Sequence, residues 1–121
     1  MIEKLGIGID IVDIEQFKKI PYRTRPNFYK KLFSPSEIKY CLKYKNAAEH
    51  FAGKFAIKEA VKKSISLQIR MLDIETSHYK LRPVVKLKGR YANHYVFLIS
   101  LSHEKNAAVG IVISEKINTH D

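Results

Sequence analysis

The hydrophobic period changes twice along this chain of 121 residues, and the order of the changes constrains the fold. Residues 5–12, LGIGIDIV, alternate: Ile7, Ile9 and Ile11 share one face, Gly6, Gly8, Asp10 and Val12 the other. That is a strand pattern. Residues 47–63, AAEHFAGKFAIKEAVKK, switch to helical spacing, with Ala48, Phe51, Ala52, Phe55 and Ala56 in one apolar stripe. Strand-like patterning then returns near 72–79, 83–88, 95–102 and 107–114, with a tight turn at Lys88-Gly89-Arg90 and a loop at 103–106. Strand, then helices, then strands is the order of an α+β domain and not of a βαβ array. The expectation is a single domain over 1–121, an N-terminal strand and helices followed by an antiparallel sheet.

Shorter signals fill the middle. Residues 13–20 and 27–33 read as short helices set apart by Pro21 and Pro26. Ser34-Pro35-Ser36-Glu37 opens another helix, predicted to end near Lys45-Asn46. Ser34 stands at the N-cap, Pro35 at the first helical position and Glu37 three residues past the cap, the pattern of a capping box. No apolar run approaches the roughly 20 residues of a membrane span. The N-terminus has no basic region followed by a cleavable apolar one, so no targeting peptide is expected. The lone Cys41 excludes an internal disulfide and a cysteine zinc site, which suits a reducing, cytoplasmic setting.

Charge narrows the partners. Lys and Arg number 22 against 12 Asp and Glu, a net charge of +10. Such a field attracts nucleic acid, phosphorylated ligands or an acidic protein, and by itself does not choose among them. Intrinsic disorder does not fit a chain that is 45% hydrophobic.

Three residues do not match their surroundings. Glu59 falls in the centre of the Phe51/Phe55/Ala56 stripe, where a carboxylate is costly unless paired, protonated or bound to a cation. An intrahelical pair with Lys62 is the plain reading; a cation site is the functional one. Asp10 shares its strand face with Gly6 and Gly8, which leaves room for a ligand or another backbone; a role as a helix cap is the alternative. His103 ends the row Phe97, Ile99, Leu101 at the start of a loop. The other histidines, His50, His78, His94 and His120, show no metal-ligand spacing, and no Walker loop, GxGxxG or GxSxG is present. Two carboxylates, one on a strand and one on a helix, suit a hard cation such as Mg²⁺ with phosphates and waters as further ligands. Lys54, Lys58 and Lys62 recur at four-residue intervals beside Glu59 and suit those phosphates, although such a stripe is also an ordinary solvated face.

G-I-G-I-D-I-V at 6–12, F-A-G-K-F-A-I-K-E-A-V-K at 51–62 and S-L-S-H-E at 100–104, in this order and near these separations, resemble the holo-acyl-carrier-protein synthase family. The resemblance runs from Met1 to about Ser114 and implies the 4′-phosphopantetheinyl transferase fold. It also implies transfer of the 4′-phosphopantetheine arm of coenzyme A to a serine of an apo acyl carrier protein, with release of adenosine 3′,5′-bisphosphate. By motif match, Asp10 and Glu59 hold Mg²⁺, and Glu59 helps deprotonate the serine. Lys62 neutralises or protonates the leaving phosphate. Lys54, Lys58, Ser102 and His103 join Lys62 as expected coenzyme A contacts, with His103 also among the catalytic set. The resemblance further implies a homotrimer with active sites between subunits. The basic charge then suits a small acidic carrier protein. Its dock is expected within 16–31, near Lys18, Arg23, Arg25 and Phe28, and neither a membrane nor nucleic acid is an expected partner. This chain has no glycine at 64–70 where relatives turn, Leu81 where a glycine commonly precedes a Lys-Pro, Leu98 at a frequent histidine and Gln16 at a frequent arginine. Two other readings of the chain are a small basic RNA-binding protein and a coenzyme A-binding relative without turnover. An exposed aromatic and basic sheet face would mark the RNA binder, but the late strands read as core and carry no RNP-like or GXXG motif.

Overall fold

In a computed structural model that describes residues 2–117, the first and last strands lie side by side. Strand β1 (Leu5–Asp13) pairs antiparallel with β5 (Ala107–Lys116), and β5 pairs with β4 (Tyr95–His103), so the sheet order is β1-β5-β4. The expected single sheet is in fact two. β2 (Ile74–Tyr79) and β3 (Arg82–Leu87) form a separate antiparallel hairpin. Its turn holds Lys80 at φ 49° and Leu81 at φ 71°, the left-handed pair that a two-residue hairpin turn demands and that Asn and Gly adopt most readily.

Between β1 and the hairpin lie α1 (Glu15–Lys18), α2 (Pro26–Lys30), α3 (Pro35–Leu42) and α4 (Ala47–Ile65). The capping box forms as the sequence predicts: the Ser34 hydroxyl accepts from Glu37 N, and the Glu37 carboxylate accepts from Ser34 N at 2.8 Å. α3 stops at Leu42, short of the expected end near Lys45-Asn46. Asp13, the last residue of β1, leads into α1 with its carboxylate accepting from Glu15 N at 3.0 Å.

α4 is the hub, and the glycines of β1 explain how it docks. A Cβ at Gly8 would stand 2.0 Å from the Ala60 carbonyl oxygen, and one at Gly6 1.7 Å from that of Ser64. The room beside Asp10 is therefore taken by another backbone, the second of the options that the strand pattern left open. Gly8→Ala should cost about 3 kcal/mol, because the helix backbone must move to admit the methyl group, and so lower Tm by roughly 10 °C. A thermal melt of the variant checks this.

With the glycine face against α4, the isoleucine face of β1 looks outward: Ile7 and Ile11 are 65% and 69% exposed. Strand register sets Ile113 beside both Ile7 and Leu98, and Ile111 beside Ile9. The outer face of the three-stranded sheet thus carries a contiguous row of aliphatic side chains, with Ser100 and Ser102 beside it on β4. The core lies on the inner side in two parts. Phe17, Tyr29, Phe33 and Phe51 pack as an aromatic cluster under α1–α3. Ile57, Val61, Ile65, Ile74, Val85 and Val112 fill the space between α4, the hairpin and the sheet.

Candidate active site

Because the sheet, α3 and the hairpin surround α4, its lysines do not form a solvated stripe. Lys58 is fully buried. Its ammonium donates to Glu37 Oε1 at 2.7 Å, to the Leu32 carbonyl at 2.8 Å and to the Met71 carbonyl at 3.0 Å. Those bonds use all three of its protons. The expectation that Lys58 contacts coenzyme A is therefore corrected: this side chain ties α3 and the approach to β2 onto α4. Burial pulls its pKa below the ordinary lysine range, and the Glu37 carboxylate opposes that pull.

Lys54, one turn earlier, reaches a cleft of about 190 Å³ between α4, the hairpin and the end of β4, which His50, Thr76, His78, Leu101 and His103 also line. Its ammonium donates to Thr76 Oγ1 at 2.9 Å and lies 4.7 Å above the Tyr40 ring. Burial lowers the Lys54 pKa. His103 closes the same cleft, with Nδ1 3.3 Å from Glu49 Oε1. Lys54 and His103, 49 positions apart, thus meet at one opening whose ionisable lining is Lys54, three histidines, Glu49 and the Tyr40 phenol.

Sequence reasoning set His50 and His78 aside for lack of ligand spacing, yet both line this cleft. His50 stacks on Tyr44 with ring centroids 3.9 Å apart, and His78 on Tyr40 at 4.9 Å. Burial lowers the pKa of both histidines; Lys54 pushes each the same way, and Glu49 opposes the shift at His50. The unfolded chain therefore takes up more protons than the folded one as pH falls below about 6.5, and stability declines through that window. Thermal melts should show a lower Tm at pH 5.5 than at pH 7.5. In a His50→Gln/His78→Gln variant the drop should shrink.

Asp10 is tied to α4 through Lys63. Asp10 Oδ1 is 3.2 Å from the ammonium of Lys63, which also donates to the Ile9 carbonyl at 2.9 Å. Lys63 follows Glu59 by one helical turn. Among the described residues the half-buried Glu59 carboxylate forms no ion pair, and the anticipated Glu59–Lys62 bridge is absent. Glu59 is thus unpaired and Asp10 is held only by a half-exposed lysine; carboxylates of this kind are what a hard divalent cation takes when it leaves most positions to water and phosphate. Lys63 escaped the sequence reading although it stands four residues after Glu59, the spacing of helical neighbours.

Lys62 instead borders a shallow pocket with Leu67, Gln68, Ile69 and Arg70. Just before these loop residues, Ser66 ends α4 in the left-handed region at φ 54°, where a glycine would carry no steric cost. Ser102 is exposed on the outer side of β4, in the alternate row from Leu101 and His103, so within one chain it does not line the His103 cleft. Of the expected dock, Lys18, Arg23, Arg25 and Phe28 are exposed, whereas Phe17 belongs to the core. Lys18 and Arg23 line a groove of about 480 Å³ together with Pro21, Tyr22, Leu42 and Lys45.

Comparison with known proteins gives the family of this fold. The family model described as the 4′-phosphopantetheinyl transferase superfamily matches residues 6–112. A holo-[acyl-carrier-protein] synthase from Syntrophus aciditrophicus is 40% identical, covering 91% of this chain and 94% of its own. The crystal structure of the Helicobacter pylori holo-[acyl-carrier-protein] synthase in complex with coenzyme A superposes with a TM-score of 0.78 at 35% identity, covering 90% of this chain and 99% of that one. The corresponding synthase from Bacillus anthracis, in complex with CoA (3′,5′-ADP), gives a TM-score of 0.79 at 27% identity, covering 93% and 96%.

Proposed function

Because the chain belongs to the 4′-phosphopantetheinyl transferase superfamily, we propose that it transfers 4′-phosphopantetheine from coenzyme A to a serine of an apo acyl carrier protein, as a holo-[acyl-carrier-protein] synthase. Family membership sets aside the RNA-binding alternative. The observation that carries the reading to the site is the meeting of Lys54 and His103 in one cleft beside α4, with Asp10 tied to the same helix through Lys63, one turn after Glu59.

In the reaction the serine oxygen bonds to the phosphorus that bears pantetheine. The bond from that phosphorus to the bridging oxygen of the pyrophosphate breaks. Adenosine 3′,5′-bisphosphate leaves with the bridging oxygen. Lys54 and His103 hold the anionic nucleotide end. Glu59, unpaired and half-buried, takes the serine proton directly or through water. Lys62 offsets the negative charge that grows on the leaving phosphate. Asp10 and Glu59 are the residues that would hold Mg²⁺, which when bound supplies charge neutralisation on the pyrophosphate.

The outer sheet face supports a homotrimer. Isolated exposed apolar residues are ordinary, but a contiguous row of Ile7, Ile9, Ile11, Leu98, Ile111 and Ile113 marks a contact surface. A trimer built on it would also give the exposed Ser102 a place beside a neighbouring subunit. Among the described residues no helix is long and apolar enough to cross a membrane, and we place the reaction in the cytoplasm.

The carrier protein docks at Lys18, Arg23, Arg25 and Phe28, where the cationic surface steers an acidic partner. Arg23→Glu/Arg25→Glu should slow carrier modification on the order of tenfold at low salt. The difference should narrow at 0.15 M salt, where the Debye length is about 8 Å. The affinity for coenzyme A should stay as in the wild type. Equal loss toward both substrates would move the dock elsewhere. The transfer itself is tested by incubating the protein with coenzyme A, Mg²⁺ and an apo carrier protein and weighing the carrier.

A further inference from the structure

Thr76, a buried threonine at the centre of β2, lies between the cleft lysine and the buried ion pair. Lys54 donates to its hydroxyl at 2.9 Å, and the hydroxyl lies 2.6 Å from Glu37 Oε2. Thr76 N donates to the same carboxylate oxygen at 2.7 Å. The other oxygen, Glu37 Oε1, accepts from Lys58 at 2.7 Å and from Ser34 N at 2.8 Å. The polarity of this chain of bonds has one solution. An ammonium only donates and a carboxylate only accepts. The single hydroxyl proton must therefore point to Glu37, which turns a lone pair toward Lys54.

A lysine side chain has four rotatable bonds and loses much freedom when it is fixed. Here its end is set by one lone pair, by the Thr76 carbonyl at 3.4 Å and by the face of Tyr40. We propose that Thr76 is a positioning residue: its hydroxyl, oriented by Glu37, holds the Lys54 ammonium ready for the anionic nucleotide end of coenzyme A before the substrate arrives. The inference rests on the reading of the cleft as the nucleotide site. Preorganisation of this kind raises affinity by removing the ordering cost from the binding step. It touches no reacting atom, so its signature is in binding and not in turnover.

Thr76→Val removes the hydroxyl at nearly constant shape, and Thr76→Ser keeps it. Titration calorimetry with adenosine 3′,5′-bisphosphate gives Kd per folded molecule from the fitted stoichiometry, so a loss of stability does not imitate a loss of affinity. Thr76→Val should weaken binding roughly fivefold, the scale of one hydrogen bond, and raise the coenzyme A KM alike with kcat within about twofold. Thr76→Ser should restore both. In a Lys54→Met background, Thr76→Val should add nothing.

Three results overturn the proposal, and they differ in what else they remove. If Lys54→Met itself leaves Kd unchanged, the cleft reading falls and the positioning role falls with it. If Lys54→Met weakens binding but Thr76→Val matches the wild type, the cleft stands and the hydroxyl does not position Lys54. If the two substitutions add, Thr76 acts through the shape of the cleft and not through Lys54.

Discussion

Glu59→Ala is expected to lower kcat for carrier modification by about 10³-fold, within the usual range for the loss of a positioned acid–base group. The argument is about position. Glu59 is a half-buried carboxylate on α4 that has no cationic partner among the described residues, one turn before the lysine that binds Asp10. A carboxylate kept free of partners in a chain with net charge +10 is available for proton transfer or for a cation. Binding of adenosine 3′,5′-bisphosphate in the absence of metal should change little, because Lys54 and His103 line a separate cleft. A Glu59→Ala variant that turns over at the wild-type rate would remove this residue from the chemistry. Asp10→Ala should follow the same direction and lose Mg²⁺ dependence as well.

Lys58→Met is expected to destabilise the fold by about 3–5 kcal/mol, the scale on which a broken buried ion pair leaves a charge without its partner. Total stabilities of about 5–15 kcal/mol make that a large share. Lys58 and Glu37 are both buried, and Lys58 alone also satisfies two carbonyls. A Glu37→Leu/Lys58→Met double variant should recover only part of the loss. Removing both charges relieves the unpaired carboxylate, but Ser34 N and Thr76 N then lose their acceptor. Denaturant unfolding of the single and double variants measures both quantities. A Lys58→Met variant as stable as the wild type would return this lysine to a solvated or ligand-binding role.

How far the sequence foretold these features depends on the range of the interaction behind each. The capping box at Ser34 and Glu37 is local, and its residues stand at fixed offsets, so it was legible. The period of β1 was legible too, but not which face is the inside. Apolar residues are expected to face the core, and here the glycine face does so because only it lets α4 approach. The pairing of β1 with β5 joins chain ends that no local pattern connects, and nothing local separates the β2–β3 hairpin from the main sheet. The lysines of α4 misled for a related reason. A helix packed on several sides has no single apolar stripe, so four-residue spacing does not tell a solvated lysine from one at the end of a buried network, as at Lys58. Lys54, His103, Asp10 and Glu59 were picked out by motif resemblance and by their fit to the surrounding pattern. Thr76, Glu49, His50 and His78 complete the cleft and carried no sequence signal, since their partners lie on other elements.

The most direct measurement is the mass of an apo acyl carrier protein after incubation with this protein, coenzyme A and Mg²⁺. The account predicts a gain of one phosphopantetheine per carrier, matched by one adenosine 3′,5′-bisphosphate released, and no gain on a carrier whose acceptor serine is alanine. An unchanged carrier mass, from a protein that binds coenzyme A and folds as described, would mark a coenzyme A-binding relative without turnover and contradict the account.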